Sequence, residues 1–176
     1  LDRGRVHVGD LATITNQVFD AWQTDRQQGL DTIMLAPTRD LVAELNTRAR
    51  THRLTGELVT REVELADGLT ASVGDVIITR TNDRRLRVSP TDWVKNGDRW
   101  TVTAVRENGT VSVQHAKNGR FVDLPPSYVA ASLELGYACT IHTAQGVTAD
   151  TSHTLLSGSE PRQLAYTALT RGRSAN

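Results

Sequence analysis

The stretch Tyr137-Ala138-Cys139-Thr140-Ile141-His142-Thr143-Ala144-Gln145-Gly146 carries more chemistry per residue than any other part of the chain. Ala138 to Ile141 reads as a short strand that stops at a turn. Thr140 and His142 alternate with Ile141, so both face one side of the strand end. Gln145-Gly146 follows, and glycine lets the backbone turn closely beneath a ligand. A histidine at a strand end is more often a satisfied rim residue than a ligand-binding one. Cys139 and His142 have no second pair of metal ligands in view, which argues against zinc. No nucleophile elbow accompanies His142, which argues against a hydrolytic triad.

Outward from this stretch, the flanks read as layers of helix and strand. Asp10 is suited to cap a helix whose apolar positions are Leu11, Ile14, Val18 and Trp22, with Gly29 as its stop. Thr32-Ile33-Met34-Leu35-Ala36 reads as a buried strand. Pro37 and Thr38 lead into a second helix with Leu41, Val42, Leu45 and Ala49 on one face and Asp40 in its first turn. Downstream, Thr151 to Leu156 reads as a strand. Ser159-Glu160-Pro161 has the make-up of a helix start, and the helix is expected to run through Leu164 and Leu169 to the C-terminus. Helix, strand, helix in succession predicts an α/β layer with a mainly parallel sheet.

Between these flanks the period of the apolar residues falls to two. From about Arg61 to Tyr128, Val73 with Val76-Ile77-Ile78 reads as one strand, and Trp100, Val102 and Ala104 alternate along another. Asn108-Gly109 and Asn118-Gly119 then separate Val111-Val113 from its neighbours. Asn-Gly between alternating runs is a strong hairpin signal, because both central residues of a type I′ turn take positive φ. A small β-barrel of roughly five strands is expected here. Thr81 to Lys95 reads as a long polar loop carrying Arg84, Arg85, Arg87 and Trp93. Aromatic-plus-arginine surfaces suit single strands, although a packed tryptophan on a solvated loop is the commoner outcome. Pro125-Pro126 closes the segment, and the α/β pattern is expected to resume after Leu133.

Composition bounds the rest. The chain has 176 residues, 38% hydrophobic and 23% charged, which suits a folded domain with an inserted subdomain. Formal net charge is +0, so whole-chain charge gives nucleic-acid binding no support and any such case rests on local motifs. No apolar run is long enough to span a membrane. The lone Cys139 excludes an internal disulfide, and a cytoplasmic location is expected. The start at Leu1 suggests a piece of a longer protein.

Three motifs in a fixed order now carry a resemblance. Thr140-x-His142-x-x-Gln145-Gly146 resembles motif V of RecD-like superfamily 1 DNA helicases. Tyr166-x-Ala168-Leu169-Thr170-Arg171-x-Arg173 resembles motif VI. Leu35-Ala36-Pro37-Thr38-Arg39, followed by Leu45-Asn46, resembles motif IV. The helicase parts of conjugative relaxases of the TraI and TrwC type are similar in flavour, with a barrel inserted between motifs IV and V. The resemblance implies an α/β, RecA-like parallel-sheet domain formed by residues 1–60 and 132–176, with a small SH3-like β-barrel inserted at 61–131.

The resemblance also implies roles. Thr38, Arg39, Thr140 and His142 would touch single-stranded DNA. Gln145, Gly146, Arg171 and Arg173 would serve the nucleotide, with Arg171 as an arginine finger on the γ-phosphate. Such a group makes chemical sense, because a rigid guanidinium from a neighbouring domain stabilises charge that develops during phosphoryl transfer. An arginine in the last turn of a helix also simply favours the helix dipole. Arg39, Asn46 and Arg50, on or before the second helix, read most simply as a solvated polar face. Thr148 stands where many relatives have an acidic residue near the nucleotide sugar, which puts a ribose contact in doubt.

What is lacking is equally informative. Lys95 and Lys117, the only lysines, are each followed by asparagine, so no Gly-Lys-Ser/Thr phosphate loop is present. The expectation is half of a motor. ATP and Mg2+ would be held by an upstream first RecA-like domain, and translocation would run 5′ to 3′ by family resemblance. An attached relaxase domain is left open. The isolated chain is expected to be inactive. The alternative is a non-catalytic DNA- or protein-docking module derived from a helicase.

Overall fold

A computed structural model describes residues 9–144, 147, 149–156, 161, 163, 166, 170 and 172–175. The chain divides into two compact units, residues 1–45 with 137–176 and residues 46–136.

The first unit is a parallel sheet with helix α1 packed on it. Helix α1 (Leu11–Gln27) begins at Asp10, whose carboxylate accepts the Thr13 N–H at 2.9 Å, and ends ahead of Gly29 at φ 79°. Its buried face is Thr15, Val18, Phe19 and Trp22. Leu11, expected on that face, is 53% exposed. It lies at the first helical position, ahead of the buried residues that begin at Thr15. Trp22 meets the Tyr137 ring edge-on with centroids 5.8 Å apart, and the Arg26 guanidinium lies over both rings.

Strand β1 (Thr32–Ala36) is buried at every position, as a strand covered on both faces must be. Strands β11 (Ala138–Thr140), β12 (Ala149–Thr154) and β13 (Gly172–Ala175) complete the sheet in the order β11-β1-β12-β13, all parallel. Strand β13 corrects the expectation that a helix runs to the C-terminus. Gln163 and Tyr166 are helical, but the chain then returns as a strand beside β12.

Helix α2 (Arg39–Arg53) buries Leu45 and Ala49 as expected. Its later residues Asn46, Arg50 and Arg53, in the second unit, are structural rather than a solvated face. Asn46 is 1% exposed and donates to the Leu135 carbonyl. Arg50 and Arg53 converge on Asp75, which is fully buried. Arg50 Nε donates to one carboxylate oxygen at 3.0 Å and Arg53 Nε to the other at 2.7 Å. The Ser72 N–H adds a third bond at 2.8 Å. Arg50 also pairs with Glu62, and Arg53 with Glu57.

The second unit is the barrel. Strands β2 (Glu62–Glu64) and β3 (Thr70–Ser72) pair with each other. Strands β4 (Val76–Thr79), β7 (Arg99–Val105), β8 (Val111–His115) and β9 (Phe121–Leu124) form an antiparallel sheet with β10 (Leu133–Leu135), in the order β10-β4-β7-β8-β9. Trp100, Ile77, Ile78, Val113, Leu124 and Leu133 are its fully buried centre, each contributing about 1.5–3 kcal/mol by leaving water.

Several readings are corrected here. Val73 does not continue into Val76: Gly74 at φ 89° turns the chain between β3 and β4, and Val73 is 51% exposed. The polar stretch Thr81–Lys95 is not a loop but a hairpin, β5 (Asp83–Ser89) with β6 (Asp92–Val94). Residues Pro126–Ser132 form helix α3, with proline at its start. Leu133–Leu135 does not resume the α/β pattern but pairs antiparallel with β4. Both Asn-Gly hairpins are present, yet neither is type I′. Among the described residues no non-glycine residue has positive φ, so within these two turns the glycines alone, Gly109 (80°) and Gly119 (66°), are left-handed. At Gly109 a turn closed by Gly109 N–H to Arg106 O, followed by the left-handed glycine, matches a type I turn with a bulge.

Candidate nucleic-acid interface

The parallel sheet sets the candidate site. In β1 and β11 the register pairs Ala36 with Thr140, so the carboxyl ends of two adjacent strands lie side by side. That edge is where open α/β sheets bind their ligands.

Pro37 and Thr38 leave β1 and start α2. The Thr38 carbonyl accepts the Val42 N–H at 3.1 Å and its hydroxyl accepts the Leu41 N–H at 3.3 Å, which fixes the turn. Thr38 and Arg39 are both exposed. On the neighbouring strand, the Ile141 side chain is fully buried and its N–H donates to the Ala36 carbonyl at 3.1 Å. This anchor holds the flanking Thr140 half-exposed and leaves His142 and Thr143 exposed. Thr38, Arg39, Thr140 and His142 are therefore brought to one edge, though they are far apart in sequence.

Thr143 was not singled out from the sequence. Its N–H donates to Thr140 Oγ1 at 3.2 Å, and the two hydroxyl oxygens are 2.8 Å apart. The Ala144 N–H closes the turn on the Thr140 carbonyl at 3.0 Å. Thr-x-x-Thr across the end of a strand is the signal that would have found it, since a threonine capping the turn places its hydroxyl on the third residue.

Gln145, Gly146, Thr148 and Arg171 lie outside the described residues. Arg173 falls on β13 rather than on the end of a helix.

In the barrel, the arginine-rich segment is ordered by its own partners. The Arg84 guanidinium sits 5.0 Å from the centroid of the Trp93 ring, and the Lys95 ammonium 5.5 Å from it. Arg85 forms a two-point pair with Asp83, and its hydrogen bonds hold the Asp83 carboxyl down at about 2. A cleft of about 510 Å³ opens beside this hairpin, between Asn82–Arg85 and Pro125, Tyr128 and Ala131. Burial pushes the Tyr128 phenol up to about 12, and the phenol donates to the Thr81 carbonyl.

Comparison with known proteins agrees with this architecture. Residues 63–130 match the Rv2311 SH3-like barrel domain family. The uncharacterized protein Rv2311 of Mycobacterium tuberculosis is 34% identical over 86 residues, 48% of this chain and 49% of that protein. Conjugal transfer protein TraA of Agrobacterium fabrum is 33% identical over 166 residues, 92% of this chain and 14% of that protein. A probable TraA of Sinorhizobium fredii is 32% identical over 163 residues, again 14% of its length. Among solved structures, the Pif1 helicase from Bacteroides in complex with ADP-AlF3 and ssDNA superposes with a TM-score of 0.61 at 19% identity, over 96% of this chain and 48% of that one. Pif1 helicase from Candida albicans gives 0.53 at 16%, covering 92% of this chain and half of that one. The chain thus spans about half of the helicases and a seventh of the TraA proteins it matches.

Fold and relatives define the class at the level of architecture: an α/β domain with a parallel sheet, in the fold shared with the matched Pif1 structures, and an SH3-like barrel set into it. Within that class it is similar, over nine-tenths of its length, to conjugal transfer proteins of the TraA kind. Among the described residues, no helix is long and apolar enough to cross a membrane.

Proposed function

We propose that the chain is the second motor domain of an ATP-driven DNA helicase that moves 5′ to 3′ on single-stranded DNA. The carrying observation is the shared carboxyl edge of β1 and β11, which supports Thr38, Arg39, Thr140 and His142 as one binding surface. Hydroxyls and an arginine suit phosphate oxygens, the backbone contacts that position a protein on nucleic acid without reading its sequence. In this reading residues 1–60 and 132–176 are the motor and 61–131 its insertion. The return of the chain to the parallel sheet at Ala138, after the barrel, supports it.

Gln145 and Gly146 would link this edge to the nucleotide, and Arg171 and Arg173 would face the phosphates. ATP and Mg2+ would be held by a first RecA-like domain upstream, because this chain lacks a phosphate-binding loop. Single-stranded DNA bound to the matched Pif1 structures supports the substrate class.

The test is a pair of assays on the full-length parent: steady-state ATPase and single-strand binding at fixed salt. Arg171→Ala is expected to cut turnover by about 10³–10⁵ while binding stays near normal, since an arginine finger acts mainly on the transition state. His142→Ala is expected to weaken binding and leave basal ATPase unchanged. Near-normal ATPase in Arg171→Ala sinks the motif VI assignment. A parent without an intact phosphate loop favours the second reading, a docking module; the separate family match of the barrel is the observation behind that one.

A further inference from the structure

Thr140 and Thr143 hold two hydroxyl protons between them, and the acceptor that meets this turn decides where those protons go. Thr140 Oγ1 already accepts the Thr143 N–H at 3.2 Å, which occupies one of its two lone pairs. The Thr143 hydroxyl has two acceptors on the same residue, Thr140 Oγ1 at 2.8 Å and the Thr140 carbonyl at 3.2 Å. Either hydroxyl could donate across the 2.8 Å contact, and a ligand oxygen that can only accept selects the arrangement in which Thr143 donates. With Thr143 as donor, both lone pairs of Thr140 Oγ1 are filled from within the turn. Its own proton is then left in the one remaining direction, away from the turn. Thr140 becomes a pure donor, the complement of an oxygen that can only accept.

A phosphodiester oxygen is such an acceptor. We infer that Thr143 is a positioning residue for nucleic-acid binding: it orients and polarises the Thr140 hydroxyl so that its proton meets a backbone phosphate. This role rests on the reading of the β1–β11 edge as the single-strand surface. Thr143 acts through Thr140 and adds no contact of its own. Its contribution is a donor that fills the second lone pair of Thr140 Oγ1 when a phosphate binds, and the strengthening that one hydrogen bond confers on the next in a chain.

The experiment is binding of a fluorescein-labelled oligothymidylate to the 176-residue chain, followed by anisotropy at constant salt. Thr140→Val is expected to weaken binding about tenfold, as loss of a hydrogen bond to a charged group does. Thr143→Val is expected to weaken it about threefold. In the Thr140→Val background, Thr143→Val has no further effect, and Thr143→Ser binds like the parent chain. Because Thr143 is exposed, the substitutions leave the core alone. The Ala144 amide resonance reports that the turn is intact.

Wild-type binding by Thr143→Val overturns the inference, as does an equal loss in both backgrounds, which would make Thr143 a contact in its own right. His142→Ala separates the two levels. If it weakens binding while Thr143→Val does not, the surface reading stands and the role of Thr143 falls. If His142→Ala, Thr140→Val and Thr143→Val all bind normally, the surface reading falls with it.

Discussion

Asp75 shows what a single residue decides in the barrel. Its carboxylate is out of contact with water and takes guanidinium N–H bonds from Arg50 and Arg53, each arginine side chain only 15% exposed. Removing one partner of a buried ion pair leaves the other charges desolvated and unpaired, a loss of about 3–5 kcal/mol. Asp75→Ala is therefore expected to be severely destabilised, which the midpoint of a urea titration reads directly. A loss below about 1 kcal/mol would mean that the arginines find water instead. Gly74, beside it, has φ 89°, and a Cβ there would meet Arg53 Nη1 at 2.9 Å. The glycine serves the turn and makes room for the ion pair. None of this was legible from sequence. Arg50 and Asp75 meet only after folding, and an arginine on a helix reads as solvated until its partner is placed. Thr38, Arg39, Thr140 and His142 were singled out by an ordered motif set and lie at one strand-end edge; Thr143, outside the motif's fixed positions, was not singled out.

At the scale of elements, period and capping were read well and turns poorly. Asp10 as cap, β1, and the alternation of β7 follow from local rules. The split at Gly74 and the hairpin Asp83–Val94 do not, because a polar, arginine-rich run gives no alternation to detect. Its order comes from pairings such as Asp83 with Arg85 and Arg84 with Trp93. The strand Gly172–Ala175 was missed for a related reason: its pairing to β12 is long-range, while the residues ahead of it look helical.

The Asp83–Arg85 pair has a defined pH signature. The folded carboxyl titrates near 2, below its ordinary 3.8, so its contribution is fully present above about pH 4. It is lost as pH falls from there through about 2. A carbon-detected NMR titration should show Asp83 still ionised at pH 3.8, and Arg85→Gln should move its midpoint back up. An unshifted midpoint in the wild-type chain would remove Arg85 as the cause.

On the scale of the molecule, the second unit has its own centre, so residues 46–136 are expected to fold when excised. A shorter fragment, residues 63–130, lacks Arg50, Arg53 and strand Leu133–Leu135. It would leave Asp75 unpaired and expose the edge of β4. The longer piece should give a dispersed amide spectrum and a cooperative melt, and the shorter one should not. Equal stability of the two would show that the end of α2 contributes nothing to the barrel.

The middle strand of the parallel sheet has a consequence for the order of assembly. Met34 bonds on one side to a strand that lies beyond the entire barrel in sequence, and on the other to one further still. Neither pairing can form until that long loop of chain is closed, and folding slows as such separations grow. The barrel's β7, β8 and β9 are successive hairpins, joined by turns of a few residues. Refolding is expected to proceed inside out, with the inserted segment acquiring structure before the sheet that hosts it. In a pulsed hydrogen-exchange experiment the amides of Val102 and Val113 should gain protection ahead of those of Met34 and Ile141. On a ribosome the consequence is sharper, because Thr32–Ala36 emerges early and must wait, strongly apolar and unpaired, for partners not yet made.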